Sequence, residues 1–310
     1  MAPLEATGMT NVTNVTAVIA TLDRPAALDR CLDAILCGDM LPAEVIIVDQ
    51  SQHNATQAVV EQRCESRVSI VYMRRRQRNA SASRNAAIAH ASSPIVAVTD
   101  DDCLPERTWI AVINQTFTAP GAPDAMTGRV LALGPDEPGL FAASLRRSNR
   151  RDEFAGKVLP WVVGTGGNFA VKRAWFDRIG GYDERLGPGS HGKASEDIDL
   201  FYRLLCAGAH IRYEPDAVIY HERQSKTRRL ASRWSYGYGT GAFCGIQLRR
   251  GDVFALHIIC QWLLTQGRLF VEAIGHRQWL QAYQRSLSLR GTVRGLGYGL
   301  RARAGYRSEP

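Results

Sequence analysis

Three aspartates stand in a row at Asp100, Asp101 and Asp102, and an acidic pair stands at Glu196 and Asp197. Adjacent carboxylates repel and raise one another's pKa, so a triplet at the end of a buried strand is costly unless a cation neutralises it. Oxygen ligands suit Mg²⁺ or Mn²⁺, ions that keep waters and bind substrate phosphates. Asp100 and Asp102 are therefore candidate ligands for a divalent ion that holds a diphosphate. A solvated acidic turn or a helix cap is the plainer alternative. Glu196 and Asp197 open a helical pattern after the glycine-rich stretch 187–194, where the helix dipole favours acids and capping alone could account for them. His221 is either a hydrogen-bonded core histidine or a metal or phosphate contact. Arg223 beside it has the fork geometry of a diphosphate clamp. The run 164–168, with Gly166, Gly167 and Asn168, would let a donor sugar and an acceptor approach the backbone closely. Trp161 could stack on a sugar face or simply pack in a core.

The elements that must position these groups alternate. Apolar, β-branched runs at 15–20, 44–48, 68–73 and 95–99 read as parallel strands covered on both faces. Between the first two, Leu28, Cys31, Leu32, Ile35 and Leu36 form a helical stripe begun near Pro25. Helical residues fill 55–65 and 81–91. Strand alternating with helix predicts an α/β fold of βαβ units, a Rossmann-like, mostly parallel sheet flanked by helices. Ligands of such sheets bind beyond the carboxyl ends of the strands. That rule selects Thr21 to Asp23, Asp49 and the triplet at 100–102. Further on, 105–119 reads as helix, 125–133 as strand, and 135–159 as a loop with one short helix. A small strand is expected at 169–171, a helix from about 173 to Gly180, a helix over 196–207, and a short strand at 218–220 that delivers His221.

Taken in order, these pieces resemble family-2 glycosyltransferases of the GT-A fold. Thr99–Cys103 resembles their DxD element. Ala20–Arg24 (Ala-Thr-Leu-Asp-Arg) stands where the family usually has Pro-Thr-Tyr-Asn-Arg, and Ile46–Ser51 where it has Val-Val-Asp-Asp-Gly-Ser. Ser83–Ile88, Gly166–Asn168, Gly180–Asp183, Ser195–Leu200 and Tyr220–Arg223 match later elements, over about residues 15–223. The resemblance implies that Thr21 and Asp23 lie beside the nucleotide, that Asp49 recognises the base, and that Arg84 and Asp100 touch the nucleotide, with Asp101 counted among these contacts. It implies Asp102 as metal ligand and Asp197 as general base, with Glu196 as competitor. Asp199 lies about 200° round an ideal helix from Asp197. Transfer would be a one-step displacement with inversion from a UDP-, GDP- or dTDP-sugar to a glycan, lipid-linked or small-molecule acceptor, as in cell-surface polysaccharide or glycolipid synthesis. Leu22 replaces an aromatic and Gln50 an acid, which leaves the nucleotide open. A sugar nucleotidyltransferase would need a glycine-rich, Arg-containing loop after strand one. A dinucleotide oxidoreductase would need GxGxxG there, and neither is present. A non-catalytic nucleotide-sugar-binding scaffold is the remaining alternative.

The chain has 310 residues and a net charge of +8. From 224 to 310 it carries 14 Lys or Arg against three acids, whereas residues 1–223 are slightly acidic, which argues against a nucleic-acid-binding body. Residues 1–14 read as a tail, 15–223 as the catalytic domain with a nucleotide-sugar half to about 105 and an acceptor half from 106, and 224–310 as a basic, mainly helical extension. Within the extension 253–264 is apolar for about 12 residues, too short for a membrane span, which needs roughly 20. Arg228, Arg229, Arg233, Arg249, Arg250 and Arg268 flank its apolar stretches. The extension is expected either to attach peripherally to an anionic membrane surface or only to cap the domain. Seven cysteines without a CxxC spacing indicate a reducing compartment. Without a basic n-region and an apolar h-region at the N-terminus, the expected location is cytoplasmic, or peripheral on the inner face of the cell membrane. The sequons at Asn11, Asn14 and Asn54 would then be silent.

Overall fold

The structure is a computed structural model, and it describes residues 13–63 and 66–302. Most of the expected tail, with Asn11, lies outside these residues, as do Cys64, Glu65 and the last eight positions. The elements run β1 (Val15–Thr21), α1 (Pro25–Leu36), β2 (Glu44–Asp49), α2 (Ala55–Glu61), β3 (Ser69–Arg74), α3 (Ala80–His90), β4 (Ile95–Asp100), β5 (Cys103–Pro105) and α4 (Trp109–Thr118). There follow β6 (Ala125–Ala132), β7 (Leu140–Phe141), β8 (Asp152–Phe154), a 3₁₀ turn at Pro160–Val162, β9 (Asn168–Lys172), α5 (Ala174–Ile179), α6 (Glu196–Cys206) and β10 (Ile211–His221). The extension comprises β11 (Gln224–Ser225), α7 (Lys226–Arg249), α8 (Phe254–Gly275) and α9 (Trp279–Arg301).

The central sheet has the order β3-β2-β1-β4-β9-β6-β10-β5, with β8 on β10. Strands β1 to β4 pair in parallel, β9 runs antiparallel to both β4 and β6, and β10 is parallel to β6. Strands β1, β2 and β4 are apolar along their length because helices cover both faces. Leu28, Leu32 and Ile35 of α1 with Trp109 and Ile113 of α4 pack on one side, and Ile88 of α3 with Phe201, Leu204 and Leu205 of α6 on the other. Strand β10 extends well before the expected 218–220. Its register shifts between Glu214 and Val218, so an interruption at Pro215 and Asp216 is absorbed as a bulge. The stretch 135–159 holds two short strands and no helix.

The extension is three long helices. Gly237, Gly241 and Gly245 of α7 face Gly291, Gly295 and Gly299 of α9. A Cβ at Gly295 would sit 1.9 Å from the Tyr238 carbonyl oxygen, and one at Gly241 2.1 Å from that of Thr292. The two backbones touch through these glycines, the geometry that small residues at every fourth position allow. Helix α8 runs 22 residues, to Gly275, not 12; it is long and apolar enough to cross a membrane, and 22% of its most apolar window is buried. Leu186 and Tyr202 of the α/β body join Phe243, Ile246, Ile258 and Ile259 in one core cluster, so the extension packs onto the body.

Candidate active site

Parallel register brings the strand ends together. Thr21 pairs with Asp49 and Ala20 with Asp100, so the first two places selected by the strand-end rule lie beside the start of the triplet. After Asp102 the chain turns into β5, which pairs antiparallel with β10 and sets Cys103 opposite His221. Positions 118 residues apart thereby share one corner.

Asp102 is 3% exposed. Its Oδ2 accepts from Nη1 of Arg24 at 2.8 Å and Nη2 of Arg228 at 2.9 Å. Its Oδ1 faces Nε2 of His221 at 3.7 Å. Burial would raise the Asp102 pKa, but His221, Arg24 and Arg228 together hold it below the usual carboxylate range. His221 Nδ1 lies 2.8 Å from the Glu222 carbonyl oxygen. Asp102 Oδ1 and His221 Nε2 offer an oxygen and a nitrogen to a divalent ion such as Mn²⁺. Cys103 Sγ completes a group whose ligand atoms lie within 4.8 Å of one another. Burial first, and the Asp100 and Asp102 charges next, push its thiol well above the ordinary value, so it is a poor ligand.

The second acidic pair meets the first across a buried arginine. Arg84 donates from Nη2 to Asp100 Oδ1 at 2.7 Å and from Nη1 to Glu196 Oε1 at 2.8 Å. Burial would lower its pKa; the charges of Asp100 and Glu196 outweigh that and hold it up. Gly166 N–H donates to Asp197 Oδ2 at 2.9 Å, and Ile198 N–H to Asp197 Oδ1 at 2.8 Å. A Cβ on Gly166 would lie 2.7 Å from the Asp197 Cβ, and one on Gly167 2.8 Å from Asp100 Oδ2. These positions are glycine because the two carboxylates press against their α-carbons. Burial, then the neighbouring Asp197 charge, pushes Glu196 up to about 7, against the pull of Arg84. Burial also raises Asp197, over the opposing Gly166 and Ile198 N–H groups. Glu196 is buried and paired with a cation, while Asp197 is half-buried and has no cationic partner among the described residues. Asp199 is fully buried and held by Arg203 and Gln247.

Several expected ligand contacts have internal partners. Asp49 is fully buried, accepting from Ser51 N–H at 2.8 Å and from the Tyr72 hydroxyl at 2.7 Å. Asp101 accepts from Thr21 Oγ1 at 2.8 Å and Arg24 Nη1 at 2.9 Å, pinning the end of β1 to the triplet. Burial outweighs Arg24 and lifts Asp101 to about 6. Asp23, at φ 55°, is paired with Arg78 and His53 at the surface. Arg223 holds the loop at 133–136 through Leu133 O, Gly134 O and the Asp136 carboxylate. Trp161 packs on Trp262 of α8, ring centroids 5.5 Å apart. Asn168 is 2% exposed; it accepts from Trp109 Nε1 at 2.9 Å and donates to Arg129 O at 3.0 Å and Ala217 O at 2.8 Å. Gln50, where the family has an acid, accepts from Asn79 N–H at 2.7 Å and so seats the start of α3.

Two groups at the centre escaped the sequence reading. Arg24 was inside a quoted motif but carried no role. Arg228 was counted among the membrane-facing basic residues, yet it reaches Asp102. No spacing rule links it to a partner 126 positions away.

The sheet order and the two acidic clusters facing one another across Arg84 define a class. The chain belongs to glycosyl transferase family 2, which matches residues 16–180; a further match, to glycosyltransferase like family 2, covers 149–250. The pre-mycofactocin glycosyltransferase of Mycobacterium tuberculosis is 27% identical over 164 residues, 52% of this chain and 34% of that protein. The chain thus spans about a third of that relative's length. Succinoglycan biosynthesis protein ExoM of Rhizobium meliloti is 27% identical over 226 residues, 69% of this chain and 70% of its own. Among solved structures, the mannosyltransferase PcManGT of Pyrobaculum calidifontis, in complex with GDP-Man and Mn²⁺, superposes with a TM-score of 0.59 at 18% identity, over 92% of this chain and 87% of that one. TarS 1–349 of S. aureus gives 0.53 at 13% identity, over 93% and 92%. The fold is of the GT-A type.

Proposed function

We propose that this protein is an inverting glycosyltransferase that moves a sugar from a nucleotide-sugar donor to an acceptor hydroxyl in polysaccharide or glycoconjugate synthesis. The observation that carries the reading is the meeting of Asp100, the first of the triplet, with Glu196 and Asp197 across Arg84 and the Gly166–Gly167 backbone. Asp197, oriented by two backbone N–H groups and not neutralised by a cation, takes the acceptor proton. The acceptor oxygen then bonds to the anomeric carbon as the bond to the diphosphate oxygen breaks, and the nucleoside diphosphate leaves with the electron pair. Arg24 and Arg228, already gathered on Asp102, provide positive charge beside the leaving diphosphate. Asp102 and His221 would hold a divalent ion, Mn²⁺ or Mg²⁺, which supplies further neutralisation of that charge. A neighbour of the same fold was solved with GDP-Man and Mn²⁺, which supports this donor and metal class.

We read the extension as a peripheral attachment to an anionic membrane surface on the cytoplasmic side. Support comes from α8, which leaves Leu256, Leu264 and Val271 at 52%, 68% and 67% exposed next to Arg249, Arg250 and Arg268.

The test is a thermal-shift panel of UDP-, GDP- and dTDP-sugars with Mn²⁺ or Mg²⁺, followed by transfer assays on Asp197→Asn. One donor should stabilise the protein only with metal. The variant should keep that shift and lose at least about a hundredfold in transfer. If no donor shifts the melting point, or if Asp197→Asn transfers at the parent rate, the reading is wrong.

A further inference from the structure

A second concave site lies on the extension. It is a cavity of about 480 Å³ between Phe141 of β7, Arg229 of α7 and the opening turns of α9, with Trp279, Gln281, Gln284 and Arg285 in its wall. Its charge is one-sided. Arg229 donates to Ala142 O at 3.1 Å and Gln284 Oε1 at 3.3 Å, and lies over the Phe141 ring at 4.9 Å. Arg285 donates to Gln266 Oε1 at 3.1 Å. Among the described residues no carboxylate lies within ion-pair distance of Arg229, Arg233 or Arg285, although 23 ion pairs occur elsewhere. Burial and then their mutual repulsion lower the pKa of Arg229, and burial followed by Arg233 lowers that of Arg285.

Three further observations point the same way. The 23-residue α9 begins in this wall, with no side-chain cap from Gln278 and no acid in its first turn, so its free N–H groups and dipole favour an anion there. Gln284 is 6% exposed, its Oε1 is taken by Arg229, and its amide nitrogen has no partner among the described residues. Trp279 is 67% exposed, an unstacked ring at the cavity wall. Helix α7 joins this cavity to the reacting centre. Arg228, next to Arg229, reaches Asp102.

Resting on the glycosyltransferase reading, we infer that this cavity binds the acceptor through a phosphate or diphosphate group it carries. The guanidinium groups of Arg229 and Arg285 hold the anion with the α9 N-terminus, and Trp279 covers the adjoining sugar. Uncompensated guanidinium groups around a helix start suit a multiply charged oxyanion. The size of the cavity suits a sugar phosphate. The anion has two chemical sources, a soluble sugar phosphate or a lipid-linked saccharide diphosphate.

The test uses full-length protein without metal or nucleotide, with inorganic pyrophosphate as probe, followed by Trp279 fluorescence and calorimetry. One pyrophosphate should bind per chain. Arg285→Gln should weaken it at least tenfold, and Trp279→Phe should remove the fluorescence change but not the heat. Gln281→Glu, which sets a negative charge at the helix start while leaving every arginine in place, should weaken it as much and guards against misfolded arginine variants. All three should keep the nucleotide-sugar thermal shift, a readout that separates this proposal from the function it rests on. In transfer assays, a raised KM for both soluble sugar phosphates and lipid-linked diphosphate saccharides in vesicles places recognition in the phosphate group itself. A rise for only one class names that source. Pyrophosphate binding that is absent, unchanged in the variants, or displaced one-for-one by the nucleoside diphosphate would overturn the inference.

Discussion

Asn168 offers a direct contest between a ligand contact and a scaffold role. Its amide joins four elements: α4 through Trp109, β6 through Arg129, the β10 bulge through Ala217, and its own β9. In Asn168→Ala one indole N–H and two carbonyl oxygens lose their partner in a region almost closed to water. Each orphaned buried group costs about 1–3 kcal/mol, and some relaxation is expected, so the sum is about 3–6 kcal/mol. For a chain of this size about 2 °C of melting temperature corresponds to 1 kcal/mol, giving a fall of about 6–12 °C. Asn168→Asp should be no better than alanine, because a second acceptor oxygen would then face two carbonyl oxygens. The packing leaves no escape: a Cβ at Gly128 would already sit 2.3 Å from the Asn168 amide nitrogen. Urea unfolding gives the stability change, and donor titration at low temperature gives the affinity of the folded fraction. Stability within about 1 kcal/mol of the parent, with donor affinity down tenfold, would refute the scaffold role and make Asn168 a sugar contact.

Two other outcomes are expected. Glu196 has its pKa raised from 4.5 to about 7, so its contribution to stability is fully present below about 4.5 and is lost as pH rises through 7. At 1.36 kcal/mol per unit the loss is about 3 kcal/mol, and urea midpoints between pH 5 and 8 should fall more in the parent than in Glu196→Gln; equal slopes would contradict it. Transfer should rise with pH above the usual carboxylate range, because burial raises the Asp197 pKa and only its ionised form takes the acceptor proton. For the extension, full-length protein should float with anionic vesicles, and Leu264→Asp with Val271→Asp should abolish flotation; flotation unaffected by the double change would leave α8 as a cap only.

Much of the α/β body is legible in the sequence because its strands are buried on both faces and so appear as unbroken apolar runs; β1 to β4 fall within a residue of the reading. Strand β10 was cut short because Glu214, Pro215 and Asp216 break its run, and only the bulge, a tertiary feature, lets pairing resume. Helix α8 was cut short because Thr265, Gln266, Gly267 and Arg268 end the apolar run at Leu264. The glycines of α7 and α9 were visible as letters, but their meaning lies in a partner helix about 50 residues away. Within the site, residue types at strand ends foretold where carboxylates gather. They could not foretell which atoms already had partners. Asp49, Asp101 and Asn168 have the right types at the right places, and hydrogen bonds from Tyr72, Arg24 and Trp109 occupy them from within.

The ion pair from Arg228 to Asp102 makes the junction near residue 224 a border of composition only. A chimaera that grafted a different helical hairpin after β11 would strip one of two guanidinium partners from the Asp102 carboxylate, however well the new hairpin packed. Any graft that keeps this carboxylate paired therefore has one fixed requirement, an arginine in the opening turn of the incoming helix.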